Sequence, residues 1–484
     1  MKKSIALILC LLLVLSLVSC NGQSKKNEYK MSENSKEGSV INSVMTDIAA
    51  DDEILQKTTA SWCDTAVLYE VNIRQYTEEG TFNAFSEHLQ RLKDTGINTL
   101  WLMPIHPISK EGRKGTLGSY YAVKNYMEVN PEFGTMDDFK ALLKKAHDMG
   151  FHVILDWVAN HTGWDNPWIE EHPDWYVHNK NGEIESPFDW TDTAQLDYTN
   201  YEMRYEMIKC MQYWIEEIGV DGFRCDHAIG VPGPFWNAAV YKLKSINSEI
   251  MLLAETSPAP ALTMYAFDSC YNDNFYQQSL PIKNNITPQS MQEAMKKNSK
   301  LEGNSFAMNY LDNHDKNSYN DTIVTNYGDS YAPMLGVIFT MPGMPMIYTS
   351  NEDFYDHSLE FFEKDTVKWG EHKYQDLLSA LSKIKANNKA IYNATSSEIE
   401  FVDVENPEML IYTRQDENGD NTVYFVGNLS TNKVENAKYS LDLSGTKCAL
   451  HYTKDGFTAD EKPYSESDFN LKNFEPWEYL IFVK

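Results

Sequence analysis

Between residues 66 and 348 the chain repeatedly switches its hydrophobic period, from the short apolar runs of buried strands to the three-to-four spacing of amphipathic helices and back. Ala66–Asn72 reads as a strand. Phe82–Asp94 has helical periodicity and ends before Gly96. Ile97–Pro104 is a buried strand, Met136–Met149 a helix stopped by Gly150, and Phe151–Asp156 a strand. Glu202–Ile218 is a helix stopped by Gly219. Strands follow at 220–226 and 250–255 with a helix over Trp236–Ser245 between them, and later strands at 305–310 and 344–348. Alternating units of this length imply a parallel sheet, because parallel neighbours need a crossover long enough to hold a helix. Eight such strands close into a (β/α)8 TIM barrel, an α/β fold whose functional residues sit at the C-terminal strand ends. An open doubly wound sheet is the alternative, but no Gly-rich phosphate loop follows the first strand.

Two stretches break the alternation. Residues 163–199 are aromatic and polar, with Trp164, Trp168, Trp175 and Trp190, and read as a subdomain inserted after strand 3. Tryptophan faces suit the apolar faces of sugars, but half of these rings are expected in the subdomain's own core. After about residue 393 the helical period stops. Ile399–Val404, Met409–Thr413, Thr422–Val426 and Tyr479–Val483 are short strands, with Asn418-Gly419 as a turn signal. Residues 61–392 therefore read as the barrel, and 393–484 as a C-terminal antiparallel β-sandwich domain.

The N-terminus reads as a targeting segment: Lys2 and Lys3, then an apolar run from Ile5 to Val18. Leu17-Val-Ser-Cys20 resembles a bacterial lipobox, which makes 1–19 a signal peptide and Cys20 the lipidated residue; an ordinary secretory signal is the simpler alternative. Residues 20–60 are rich in Ser, Asn, Lys and Glu and read as the anchor and a flexible tether. The expected location is extracytoplasmic, on a membrane-anchored lipoprotein. The formal net charge of −28 argues against nucleic acid and anionic membrane surfaces as partners, leaving the anchor as the membrane contact. Outside the signal, Cys63, Cys210, Cys225, Cys270 and Cys448 form an odd set with no CxxC pair, which disfavours a disulfide framework or a structural zinc site.

Three acids end predicted strands: Asp226, Glu255 and Asp315. A carboxylate near a core needs a partner or a task, and glycosidic cleavage needs a nucleophile and a proton donor. In Phe223-Arg-Cys-Asp226 the alternation of a strand puts Arg224 and Asp226 on one face. A buried guanidinium there is expected to keep Asp226 ionised and its pKa low, as a nucleophile requires; a purely structural Arg–Asp pair is the alternative. Glu255 follows the apolar Met251–Ala254, which is expected to favour its protonated form and the task of general acid, unless it merely caps the next segment. Asn313-His314-Asp315 offers groups that could grip adjacent sugar hydroxyls, and Asp156 to His161 ends another strand with a second Asn-His pair.

In order and spacing, Asp156–His161, Gly222–Asp226, Glu255 and Asn313–Asp315 resemble the four sequence regions of the α-amylase family, glycoside hydrolase family 13. Gly118–Tyr126 with Asn130–Gly134, and Gly343–Tyr348, resemble further segments of that family. The resemblance implies that Asp226 is the nucleophile, Glu255 the acid/base and Asp315 the transition-state stabiliser. It implies that Arg224 orients the nucleophile and belongs with Tyr121, His161 and His314 to the sugar-binding residues, with Tyr121 as the stacking platform of the reactive sugar, and that Asp156 is a structural acid. Many members carry a histidine tied to calcium four residues after the nucleophile. Here that position is Gly230, and His227 directly follows Asp226. Thr77-Glu-Glu-Gly80 offers no calcium loop after the first strand either. No cofactor is assigned, and calcium is the one the resemblance leaves open.

The implied function is a monomeric, retaining α-glucan hydrolase cleaving α-1,4 bonds of starch or maltooligosaccharides. A cyclomaltodextrinase, an α-1,6-acting hydrolase or a transglycosylase would share these motifs. From another class, a non-catalytic glucan-binding surface lipoprotein is expected to lose acids from the trio, all of which are present. The C-terminal domain reads as a packing domain, with a glucan-binding module as its alternative.

Overall fold

A computed structural model describes residues 58–280, 288–297, 301–394, 398–469 and 471–484. The expected signal peptide, Cys20 and nearly all of the tether lie outside the described residues. Strands β1 (Leu68–Val71), β2 (Thr99–Leu102) and β3 (His152–Trp157) are followed by a two-stranded antiparallel ribbon, β4 (His161–Gly163) and β5 (Thr193–Gln195). The series resumes with β6 (Gly222–Cys225), β7 (Met251–Ala254), β8 (Ser269–Tyr271), β9 (Phe306–Tyr310) and β10 (Met344–Tyr348). All neighbours pair in parallel, and β10 returns to β1 through Leu68↔Met346, so β1, β2, β3 and β6 to β10 form a closed barrel of eight strands. The open-sheet alternative is thereby removed. The strands are apolar on both faces because one lines the barrel interior and the other meets the surrounding helices.

Local chemistry sets the helix ends. Thr135 and Asp138 form a reciprocal capping box at the start of Met136–Asp148, and Asn200 caps Tyr201–Tyr213 by accepting from the N–H groups of Glu202 and Met203. The second helix continues as a π-helical turn, Trp214–Ile218, and stops at Gly219 with φ 89°. The helix expected over Phe82–Asp94 is instead two, Phe82–Ser86 and Leu89–Asp94, separated at Glu87-His88, where the His88 ring packs edge-on against Tyr76. Strand β8 is absent from the sequence reading. It has three residues and no apolar run, and its register is held by the preceding buried Asp268, which accepts from the Leu252 N–H at 2.9 Å and pairs with Lys244 at 2.9 Å.

Beyond the barrel, β11 (Ile399–Phe401), β12 (Met409–Gln415), β13 (Thr422–Asn428), β14 (Lys447–Thr453), β15 (Gly456–Thr458), β16 (Lys462–Pro463) and β17 (Tyr479–Val483) form one antiparallel seven-stranded sheet. Phe425, Leu450, Tyr479 and Ile481 join the barrel core, while Met409, Ile411, Val426, Leu480 and Phe482 pack on a second cluster with Val434, Leu443 and Phe474. The layer over that second face is irregular chain tied by single bridges such as Val434↔Phe474. Gly336, in the helix Tyr331–Thr340, admits the Tyr479 ring; a β-carbon there would lie 2.6 Å from it.

Candidate active site

The C-terminal strand ends open into a cavity of about 660 Å³ whose wall includes Tyr121, His161, Trp190, Asp226, His227, Glu255, His314 and Asp315. Asp226 and Glu255 are the first residues beyond β6 and β7, and the register Cys225↔Ala254 sets them side by side. Asp315 lies in the helix His314–Tyr319 that follows β9. Acids scattered along the sequence thus face one space.

Beneath them lies Arg224, fully buried on β6. Its Nη1 is 2.8 Å from Asp156 Oδ1 and 3.0 Å from Asp226 Oδ1, and its Nη2 is 2.8 Å from Glu255 Oε1. The Nη2–Glu255 contact lies off the donor direction, so it is Coulombic rather than an aligned hydrogen bond. Arg224 was expected among the sugar-binding residues. It is instead wholly covered and reaches carboxylates, because a strand-interior position beside Asp156 points it into the barrel. Tyr121, His161 and His314 do line the cavity.

The expectation that Asp226 titrates low is reversed. Burial and the adjacent Glu255 carboxylate push its pKa well up, and the pull of Arg224 does not overcome them. One guanidinium faces three carboxylates, and the like charge of Glu255 disfavours the ionised form of Asp226. The surroundings of Glu255 also differ from those expected. Met251–Ala254 is buried in the barrel wall, but the carboxyl itself meets Arg224 and accepts the His227 backbone N–H at 2.7 Å.

That amide is presented by an unusual backbone. His227 adopts φ 42° and ψ 46°, left-handed for a non-glycine residue. Its ring packs edge-on against Phe188 and Trp190, each at 5.4 Å, and Trp190 in turn meets His161. A β-carbon at Gly230 would lie 2.3 Å from the His227 ring, so the ring fills the space a side chain at 230 would need. This is the physical content of the glycine at that position.

Other expectations are sorted by contacts. The Asn313 side chain caps the helix His314–Tyr319, its oxygen accepting from the Lys316 N–H at 2.8 Å. Burial lowers His161 to about 3, so it stands neutral in the wall. Of the four tryptophans, Trp190 lines the cavity; Trp175 is buried, Trp168 packs on Tyr126 and Trp175, and Trp164 donates to the Thr191 carbonyl. Sequence reasoning missed Trp101, whose Nε1–H donates to Asp156 Oδ2 at 3.1 Å, and Glu70, whose carboxylate meets His314. A lone acid inside the apolar Leu68-Tyr-Glu-Val71 was the available signal for Glu70. Among the described residues no group of three or more His, Cys, Asp or Glu side chains converges as a metal-ligand set.

Two carboxylates share a cavity over one guanidinium at the C-terminal mouth of a parallel barrel, the residue types and the place that glycosidic bond cleavage requires. Residues 34–390 match the family model for the alpha amylase catalytic domain, and the chain belongs to the α-amylase family. It is similar to Alpha-amylase MalA of Haloarcula japonica, with 28% identity over 333 residues, 63% of this chain and 48% of that protein. The chain thus spans about half the length of that relative. Alpha-amylase 2 of Dictyoglomus thermophilum is 24% identical over 438 residues, 77% of this chain and 75% of its own. The crystal structure of an alpha-amylase from Lactobacillus plantarum superposes with a TM-score of 0.73 at 28% identity, covering 87% of this chain and 99% of that one.

Proposed function

We propose that the protein is a retaining α-glucan hydrolase that cleaves α-1,4-glucosidic bonds of starch or maltooligosaccharides. Asp226 attacks the anomeric carbon as the glycosidic bond breaks, and Glu255 gives its proton to the leaving oxygen. The covalent glucosyl ester on Asp226 is then opened by water, whose proton returns to Glu255. Asp315 holds hydroxyls of the distorted ring, Tyr121 stacks on its apolar face, and His161 and His314 line its rim. No step is routed through calcium.

The observation that carries this reading is the shared guanidinium: Arg224 touches both Asp226 and Glu255 on one cavity wall. The first step needs Asp226 ionised and a proton on Glu255, and the guanidinium that both touch favours the ionised nucleophile. The reading is supported further by relatives that are themselves alpha-amylases.

The test is parallel digestion of amylose, pullulan, cyclodextrin and short maltooligosaccharides, with reducing ends counted and the first products examined by NMR. Release from amylose with α-configured products is expected, and Asp226→Asn abolishes it. Preferential cutting of cyclodextrin or pullulan, or transfer to sugar acceptors, would move the assignment to a sibling activity. Retention of glucan with no release would make the protein a binder. The same reading places the enzyme outside the cytoplasm as a monomer held by lipidated Cys20. Labelled fatty acid should enter the native chain and not Cys20→Ala.

A further inference from the structure

Glu70 lies on β1 with no exposed surface, in a chain of contacts that the assigned roles leave unused. Its Oε1 is 2.5 Å from Nδ1 of His314, and its Oε2 accepts the His314 backbone N–H at 3.4 Å. On the far side of the ring, Nε2 is 2.8 Å from the Tyr121 hydroxyl and 3.4 Å from Asp315 Oδ1. The Tyr121 hydroxyl also reaches Asp156 Oδ2 at 3.1 Å.

Proton counting fixes the direction of this chain. Tyr121 has one hydroxyl hydrogen, and Asp156, which burial raises but the Arg224 and His314 cations and the Trp101 donor hold against that, is read from these donors as a carboxylate that accepts. The hydrogen therefore goes to Asp156, and the tyrosine oxygen accepts from His314 Nε2–H. Nδ1–H donates to Glu70. Both ring nitrogens carry hydrogen, so the ring is cationic.

We propose that Glu70 is a positioning residue that holds His314 as an imidazolium, its Nε2–H given to the Tyr121 oxygen at the cavity wall, and that Tyr121 and Asp156 connect this cation to Arg224 beneath the cavity acids. The groups facing the ring are Glu70 from β1, Tyr121 from the segment after β2, Asp156 from β3, Arg224 from β6 and Asp315 beside it, with the uncharged rings of Trp101 and Phe361. Burial and Arg224 disfavour the cation, but the Asp315 and Glu70 carboxylates outweigh them and raise His314 to about 9. Burial raises Glu70 too, and His314 opposes that shift. The role in turnover rests on the hydrolase reading; the charge state of His314 does not.

The decisive variant is Glu70→Gln, which keeps the size and the acceptor and removes the charge. Histidine labelled at Cε1 reports the ring directly by NMR, with the His314 signal assigned by its loss in His314→Gln. In the native chain the ring should stay protonated through about pH 8, and in Glu70→Gln it should titrate below about pH 7. In parallel, kcat on a maltooligosaccharide should fall at least about tenfold at neutral pH with KM little changed, and the basic limb of the rate profile should move down with the ring. Glu70→Asp, which restores charge without reach, should recover part of that shift. A neutral His314 in the native chain at neutral pH, or an identical titration and rate profile in Glu70→Gln, overturns the proposal. If Glu70→Gln does not fold, the native titration alone decides it. Normal His314 titration in a chain that releases no sugar would sink the hydrolase reading and leave this one standing.

Discussion

Replacing Arg224 by methionine should destabilise the protein, and the loss should depend on pH in a direction the structure dictates. The guanidinium lies 2.8 Å from Asp156, 3.0 Å from Asp226 and 2.8 Å from Glu255, with no exposed surface. At an effective dielectric of about 20, each contact is worth about 6 kcal/mol of gross attraction, most of it offset by desolvation. Removing one partner of a buried ion pair costs about 3–5 kcal/mol, because the other charge stays behind. The stranded carboxylates have an escape: neutralising one at neutral pH costs about 4 kcal/mol for a group of ordinary pKa, which is comparable. The variant should therefore fold with one proton more than the native chain holds. A native state that binds more protons than the unfolded state loses stability as pH rises, by about 1.4 kcal/mol per unit and per proton. The destabilisation measured by urea unfolding should then be larger at about pH 7.5 than at about pH 5 by about 3 kcal/mol. An equal loss at both pH values would refute the idea that one guanidinium neutralises this cluster.

Glu255→Gln should lower kcat on maltooligosaccharides by about 10²–10⁴-fold yet largely spare α-maltosyl fluoride, whose leaving group needs no proton; an equal loss on both substrates would deny Glu255 the acid's task. Gly230→Ala puts a methyl group 2.3 Å from the His227 ring, so it should cost about 1–3 kcal/mol in urea unfolding and lower kcat by displacing the amide that holds Glu255. Unchanged kinetics would show that this amide is not a constraint. Burial would raise Asp221, but hydrogen bonds from His147 and the Val153 N–H and the nearby His152 ring pull it down to about 2. A carboxylate depressed in the folded state stabilises above its unfolded pKa and ceases to do so as pH falls through the folded one. Asp221→Asn should therefore lose about 2 kcal/mol near neutral pH and almost none near pH 2, compared by urea unfolding of both proteins.

Much of this protein could be read along the chain because its barrel repeats a simple rule. Each strand buries both faces, so Leu100–Leu102, Val153–Leu155 and Met251–Ala254 appear as apolar runs, and helices such as Met136–Asp148 and Tyr201–Tyr213 start at a capping side chain. The rule fails where the fold departs from it. β8 is too short and polar to show a period, and its place is held by Asp268 reaching into β7. The predicted single helix over 82–94 is two helices, divided at Glu87-His88, where no residue of the sequence marks a stop.

The acids followed the same division. Their residue types and positions at strand ends were properties of the sequence, since a carboxylate ending an apolar run announces a task by its cost. Which of them share a cation was settled only by the closed barrel. Closure sets Asp156, Asp226 and Glu255 around Arg224 and turns the expected low pKa of Asp226 into a raised one. Glu70 and His314 are far apart along the chain and meet because β10 pairs with β1 and brings the last strand ends back to the first. Hydrophobic period is a local quantity, and the chain carries it residue by residue. Electrostatic energy depends on distances between all charges and on how much water separates them, and those exist only once the barrel has closed.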